Sequence, residues 1–279
     1  MRNGFHVYNP LHVFSKEKGE YMRFAILNGE RHEAYKGLLG ICPSCEKPVI
    51  AKCGELKIHH WAHKGKIECD GWWENETEWH REWKSHFPIA WQEKIHDGAN
   101  NEKHIADVKT DHDLVIEFQH SALKPEEHQS RNEFYKKIVW VVNGKRLKND
   151  EIKFFEAINR GTMCGSMFKT TTGDWNLLRF WSGNLVPVYF DFGKAILWLV
   201  MPNSSKDVVY FFPCRKVDFL EIYGQAHSQK AQVFENFLNE FQTMIQSPNQ
   251  NKNNAFKNHQ KVSGSKNIQV FQIKRNFRL

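Results

Sequence analysis

The sequence predicts an α/β (α+β) fold, on three features of its patterning. Apolar residues recur at helical spacing near position 80, follow strand spacing from 104 to 143, and return as short aromatic runs after 175. With 279 residues, the chain is long enough to bury a sizeable core.

Along the chain, FHVYN, YMRFAIL and RHEAY read as short strands, the last two joined by a turn at Asn28–Gly29. Residues 41–72 are rich in Cys, His, Lys and Gly with little apolar periodicity, so a structural metal would have to contribute to their folding. From Glu74 to about Trp91, Trp79, Trp83 and Phe87 form one stripe and Glu76, His80 and Lys84 a second, until Pro88 ends or kinks the helix. HIADVKT and DLVIEFQHS follow as strands around a polar turn at 111–113. A helix over 126–137 and the wholly apolar strand IVWVVN complete a helix–strand–strand–helix–strand core. After Asn149, IKFFEAI reads as a short helix and 161–174 as a Gly/Thr/Ser-rich stretch. WNLLRFW, LVPVYFDF, AILWLVM and VVYFFPC read as strands or short buried elements, forming either a meander beside the core or a separate substrate-contacting lobe. An amphipathic helix over 230–245 puts Val233, Phe237, Phe241 and Met244 on one side. NIQVFQI is a final strand candidate.

No apolar run approaches the length of a membrane span, and the first residues lack a signal-peptide core, which points to a cytoplasmic protein with no membrane partner. The formal charge is +7, and residues 247–279 carry seven basic residues and no acidic one. That tail accounts for the whole excess. It favours a polyanionic partner, although a solubilising extension has the same composition.

Two constellations carry chemistry. Cys42-Pro-Ser-Cys45 and His60-Trp-Ala-His63 are two close pairs of soft or borderline ligands separated by a loop, the pattern of a structural Zn²⁺ site. Cys42, Cys45, His60 and His63 are the simplest ligand set, with Cys69 able to replace a histidine. The second constellation is acidic. A cation that activates water for phosphodiester hydrolysis needs oxygen ligands on rigid neighbouring strands, and Asp107 and Glu117 stand on consecutive strands with Gln119 on the face of Glu117. An edge carboxylate facing solvent or bonded to Arg131 is the bland alternative for Glu117. Glu76 is a further carboxylate from the preceding helix, aligned with His80 and Lys84. His104, three residues before Asp107, is a candidate phosphate contact or proton shuttle, and Arg131 and Tyr135 could orient Gln119 or hold a phosphate.

The ordered set CPSC, HHWAH, ETEWHREWK, HIADV, VIEFQHS and RNEFYKKIVWVVNG resembles the competence protein CoiA-like family over roughly residues 20–145. That family resembles nucleases of the restriction-endonuclease-like PD-(D/E)xK superfamily preceded by a cysteine/histidine module. The resemblance implies a metal-binding aspartate at Asp107, a strand carboxylate at Glu117 and a helix acid at Glu76. It places the superfamily's usual lysine at Gln119, and a neutral amide can orient water but cannot help deprotonate it. Ala106 stands where the superfamily's proline is usual.

The expected organisation is an N-terminal β-rich segment (1–40), a zinc-binding module (41–72), a nuclease core (73–149), an aromatic-rich region ending in a helix (150–246) and a basic tail (247–279). The expected function is a Mg²⁺- or Mn²⁺-dependent DNA endonuclease, in DNA processing during competence or in antiphage defence. Glu76, His80, Asp107, Glu117 and Gln119 form its catalytic group, and Lys84, His104, Arg131 and Tyr135 are possible substrate contacts. The alternative is a zinc-ribbon nucleic-acid-binding accessory protein without catalysis. Besides DNA, a protein partner or self-association is compatible with either.

Overall fold

The computed structural model describes residues 22–246 except 56, 66–68, 71, 73–75, 99–101, 206, 226 and 227. FHVYN, NIQVFQI and the basic tail expected at 247–279 lie outside the described residues. The chain divides into two compact units, Met1–Asn75 and Glu76–Leu279.

The first unit is one antiparallel sheet of β1 (Phe24–Leu27), β2 (Glu30–Glu33), β3 (Leu39–Ile41), β4 (Pro48–Lys52) and β5 (His60–His63), in the order β2-β1-β3-β4-β5. Asn28 and Gly29 both take positive φ, as a two-residue hairpin whose turn twist matches its strands requires. Residues 41–72, which show little periodicity in sequence, nevertheless supply β4, β5 and the end of β3. They are short, and their core is small: Met22, Ala25, Val49 and fully buried Trp61. Met22 and Trp61 exchange backbone hydrogen bonds of 3.0 and 2.7 Å, which join the chain ahead of β1 to β5. Gly40 lies so close beneath Ala25, Leu27 and Trp61 that a Cβ would come within 2.9 Å of two of them.

The second unit is built on a nine-stranded sheet. In chain order its elements are α1 (Glu78–Ser85), β6 (Gln92–Asp97), β7 (Lys103–Lys109), β8 (Val115–Gln119), α2 (Pro125–Tyr135), β9 (Ile138–Asn143) and α3 (Asp150–Arg160). There follow β10 (Thr162–Cys164), β11 (Met167–Thr170), α4 (Asn176–Trp181), β12 (Val188–Asp191), β13 (Ile196–Val200), β14 (Val209–Arg215), α5 (Lys216–Gly224) and α6 (Gln229–Gln246). The strand order is β10-β11-β14-β13-β12-β9-β8-β7-β6. Only β8–β9 and β9–β12 pair in parallel. IVWVVN is therefore central, as its uninterrupted apolar character predicts, and is buried at every position.

The aromatic runs after 175 continue this sheet as a meander instead of forming a separate lobe. WNLLRFW is the exception. It forms helix α4, and Leu177, Leu178 and Trp181 bury one side of it. Helix α1 is shorter than the 74–91 pattern suggests, because Thr77 caps its start and Glu76 precedes the cap. The core against α1, α5 and α6 joins Trp83, Phe219, Phe234 and Phe241 to Phe118, Val139, Val141 and Leu199. A second group packs Phe154 against Phe192, Trp198 and Phe211.

One buried carboxylate ties α1 to the sheet. Asp191 Oδ2 accepts the indole N–H groups of Trp79 (2.9 Å) and Trp83 (2.8 Å), while Oδ1 accepts the Gly193 N–H at 2.7 Å. Replacing Asp191 by Ala strands these donors, and each buried unsatisfied donor costs about 1–3 kcal/mol. Asp191→Ala is expected to lose roughly 2–4 kcal/mol in urea unfolding; a loss below about 0.5 kcal/mol, typical of an incidental surface change, would contradict this anchoring.

Candidate active site and metal centre

The acidic site begins where two strands part. β7 and β8 pair through Val108↔Ile116 and Lys109↔Val115 and then diverge. A backbone N–H left unpaired in a protein interior is costly. At this fork two side chains take over the ladder's work. Asp107 N–H donates to Glu117 Oε1 at 3.3 Å, and Phe118 N–H donates to Asp107 Oδ2 at 2.9 Å. Each carboxylate is thereby fixed by the other's strand.

The remaining oxygens face cations. Glu117 Oε2 accepts from Arg131 Nη1 at 2.9 Å, and Arg131 also reaches Glu127 at 2.6 Å from the same helix. Asp107 Oδ1 lies 3.7 Å from Lys84 Nζ. That ammonium is only 3% exposed and is held by Glu76 at 2.5 Å and Glu93 at 2.8 Å, while Arg81 closes on Glu76 at 2.7 Å. Burial pulls the Lys84 ammonium toward the neutral form, but Glu93, Glu76 and Asp107 outweigh it and raise its pKa. Burial also raises Glu76, yet Lys84 and Arg81 together leave it below its ordinary value. Glu93 is pushed up by burial, which Lys84 offsets only in part.

His80 is placed by the helix start. The Thr77 N–H donates to its Nδ1 at 3.2 Å, completing a capping box in which imidazole stands where Glu or Gln is usual. A neutral ring that accepts at Nδ1 carries its proton on Nε2. Burial, opposed by the Asp107 charge, lowers its pKa to about 4. His120, just past β8, is set the same way. Asn143 Oδ1 accepts the Lys145 N–H at 2.9 Å, so its Nδ2 faces His120 Nδ1 at 3.0 Å as a donor. The two rings stand 6.1 Å apart. Gln119 is buried, with Nε2 donating to Ser121 O at 3.2 Å.

Five residues are therefore placed differently from their sequence expectation. Lys84 is enclosed by carboxylates and is not available to substrate. His104 lies on the other side of β7 from Asp107, because burial alternates along that strand and a spacing of three reverses faces. It bonds Glu102 at 2.9 Å instead. Arg131 is buried in ion pairs with Glu117 and Glu127. Tyr135 is buried against the rings of His96 and Phe134. Glu76 reaches the group from ahead of α1, not from its face. Glu93, which no motif marks, joins the group through Lys84 from β6, where its neighbours Gln92 and Lys94 pair with Val108 and Ala106 on either side of Asp107.

The first unit holds the soft-ligand cluster. Cys42, Cys45, His63 and Cys69 each place a ligand atom within 4.8 Å of the others. The Cys42 and Cys69 sulfurs are 3.7 Å apart, close to the ~3.75 Å edge of a tetrahedron with ~2.3 Å zinc–sulfur bonds. Cys45 Sγ and His63 Nε2 are 3.1 Å apart. A hydrogen bond from Cys69 leads the effects that lower the Cys42 thiol to about 5, which favours the thiolate a metal needs. These donors fit Zn²⁺. His60 is outside the group, a correction to the expected set. On β5 it is three residues from His63 and faces the other way, with Nδ1 against Ile58 O at 2.8 Å. Cys69 takes its place.

Two family profiles match the chain in order. The competence protein CoiA N-terminal domain matches residues 40–71, and the competence protein CoiA nuclease-like domain matches residues 95–180. The first span contains the cluster and the second Asp107, Glu117 and Arg131, while Glu76, Lys84 and Glu93 fall between them. Competence protein CoiA of Bacillus subtilis (strain 168) is 25% identical over 146 residues, which cover 48% of this chain and 39% of that relative. The chain thus spans well under half the length of the curated relative it matches. No solved structure matches. No helix among the described residues is long and apolar enough to cross a membrane.

Cys69→Ser is expected to lose bound zinc and lower the melting temperature, whereas His60→Ala keeps its zinc; the reverse order of metal contents would restore His60 to the site. His80 stays neutral in the fold down to about 4, while an unfolded histidine takes up a proton near 6.5. Its contribution is intact above pH ~6.5 and is lost as pH falls toward ~4, by roughly 3 kcal/mol. His80→Gln, which keeps an acceptor for the cap, is expected to flatten that part of the urea-stability profile; identical profiles for the two proteins would contradict the placement.

Proposed function

The chain belongs to the CoiA-like family, and from that premise we propose that its second unit is a divalent-metal-dependent nuclease acting on DNA. The fork carries this reading. Asp107 and Glu117 are held on diverging strands by each other's backbone, so their carboxylates are positioned before any ligand arrives. With Glu76, Glu93 and Glu127, the ion pairs here among the described residues join five carboxylates to the three cations Arg81, Lys84 and Arg131. Two negative charges are left over when all are ionised, and one divalent cation would balance them.

Asp107 and Glu117 would hold Mg²⁺ or Mn²⁺. The ion supplies Lewis-acid stabilisation of the phosphate and lowers the pKa of water. The remaining residues set conditions around it. Lys84, kept charged by its carboxylates, holds Glu76, Glu93 and Asp107 together and offers no proton acceptor. Gln119 orients by hydrogen bonding only. His80 presents an Nε2–H donor, so it can bind a phosphate oxygen but does not take a proton at that atom. Glu93, whose carboxyl is raised by burial and which shares Lys84 with Asp107, would serve as a proton acceptor at the fork. Competence-linked DNA processing fits the relative's name, and antiphage defence is a second setting for the same reaction.

The expected result is Mg²⁺- or Mn²⁺-dependent cleavage of supercoiled plasmid or linear single-stranded DNA by the wild type. Asp107→Asn and Glu117→Gln, which keep acceptors for the fork's N–H groups, should lose at least ~100-fold in rate, the scale on which removing one charge-stabilising group acts. Undiminished cleavage by these folded variants would overturn the assignment.

A further inference from the structure

Beyond the acidic fork, the turn after β9 carries a cation that has no carboxylate partner among the described residues. Residues 143–149 leave the carboxyl end of β9, beside the carboxyl end of β8 where His120 sits. The turn is tightly specified. Gly144 passes so close to Phe192 that a Cβ would fall 2.4 Å from its ring, and its N–H donates to Asp191 O at 2.8 Å. The Arg146 N–H returns to Asn143 O at 3.4 Å. Lys145 and neighbouring Lys194 both have a carboxylate, Glu151, at 3.9 and 2.9 Å. Arg146 has none among the described residues, and its Nε is buried without an acceptor. Leaving a guanidinium N–H buried and unpaired costs free energy; Arg146 as a whole is only half-buried, so an anion that paired its guanidinium would offset that cost.

Two further donors stand nearby. Asn143, the residue that anchors the Arg146 turn, holds His120 with its proton on Nε2, and Thr77 holds His80 the same way. Neither Nε2 has a hydrogen-bond partner among the described residues. Both rings lie against Trp79, with centroids 5.3 Å (His80) and 6.2 Å (His120) from it. The Arg146 charge helps to keep His120 neutral, after burial, and so favours the donor form.

We propose that Arg146, His120 and His80 form a phosphate-binding subsite that seats a backbone phosphate of the nucleic acid alongside the carboxylate fork. This deepens the nuclease reading and rests on it for the identity of the ligand, but it concerns binding and not cleavage. Lysine or exposed arginine would give attraction without direction. Here one planar guanidinium and two imidazole N–H groups, the imidazoles locked from behind at Nδ1, provide directed donors, and a phosphate with several acceptor oxygens matches them. The fork's excess negative charge would repel DNA, so a separate cationic seat gives the substrate a foothold before a metal ion neutralises the fork.

The test is anisotropy of a fluorescein-labelled DNA oligonucleotide titrated with the full-length protein over a salt series, without added Mg²⁺ or Mn²⁺. Arg146→Gln is expected to weaken binding about ten-fold and to reduce the salt slope by about one ion, the signature of one lost phosphate contact. Arg146→Lys should keep most of the slope while losing part of the affinity, which separates lost charge from misfolding. His120→Phe should weaken binding several-fold without changing the slope, since a neutral donor releases no counterion. Equal affinity and slope for Arg146→Gln and wild type, or a wild type that does not bind DNA, would overturn the subsite. Weakened binding by Arg146→Gln in a protein that never cleaves would keep the subsite and remove the nuclease reading. Unchanged binding with cleavage lost in Asp107→Asn would do the opposite.

Discussion

The second unit turns on an exchange of hydrogen bonds between a backbone and two carboxylates. Where β7 and β8 diverge, Asp107 accepts from the Phe118 N–H and Glu117 supplies an acceptor for the Asp107 N–H. The strands can part because these side chains replace the ladder, and the carboxylates are fixed because they do so. Arg131 then has a reason to be buried on α2, and Lys84 a reason to be buried at the end of α1. Each cation is tolerated in the interior only through its carboxylates, so removing either side leaves an uncompensated charge. Asp191 sets the position of α1 and thus of Lys84 and His80, through Trp79 and Trp83.

Much of this was legible in the sequence, and the failures have a common physical origin. Strand alternation correctly put Glu117 and Gln119 together, and helical spacing brought His80 and Lys84 to one end of the acidic group. Spacing of three misled twice. His60 with His63, and His104 with Asp107, look like neighbours in a string of letters, but on a strand that spacing reverses the face. The same interval on a helix would have joined them. Glu93 was invisible for another reason: it shares Lys84 with Asp107 only once β6 lies beside β7, and a single acidic letter in WQEKIHD carries no local mark of that arrangement. Lys84 was noticed but misread, since periodicity shows which side of a helix a residue occupies and not what packs over it.

Beyond Asn149, apolar runs marked strands without their order. The parallel pairing of β12 with β9 decides that the meander extends the core sheet, and that contact spans more than forty residues of chain. WNLLRFW could not be distinguished from a strand by its composition; its helical turn is set by burial of Leu177, Leu178 and Trp181 together. In the first unit the opposite holds. Its apolar core is small, and the four soft ligands lie on loops and the end of one strand, so a bound metal would supply much of what apolar burial does elsewhere.

The most direct measurement of the central claim is a Mn²⁺ titration followed by electron paramagnetic resonance, on protein whose zinc content has been fixed beforehand. If the fork is the seat of one divalent cation, the wild type binds a single Mn²⁺ per chain. Glu117→Gln then loses that binding while its zinc content and folded signature stay unchanged. Mn²⁺ bound equally well by the variant, or no saturable site in the wild type, would show that the carboxylates serve the fold alone.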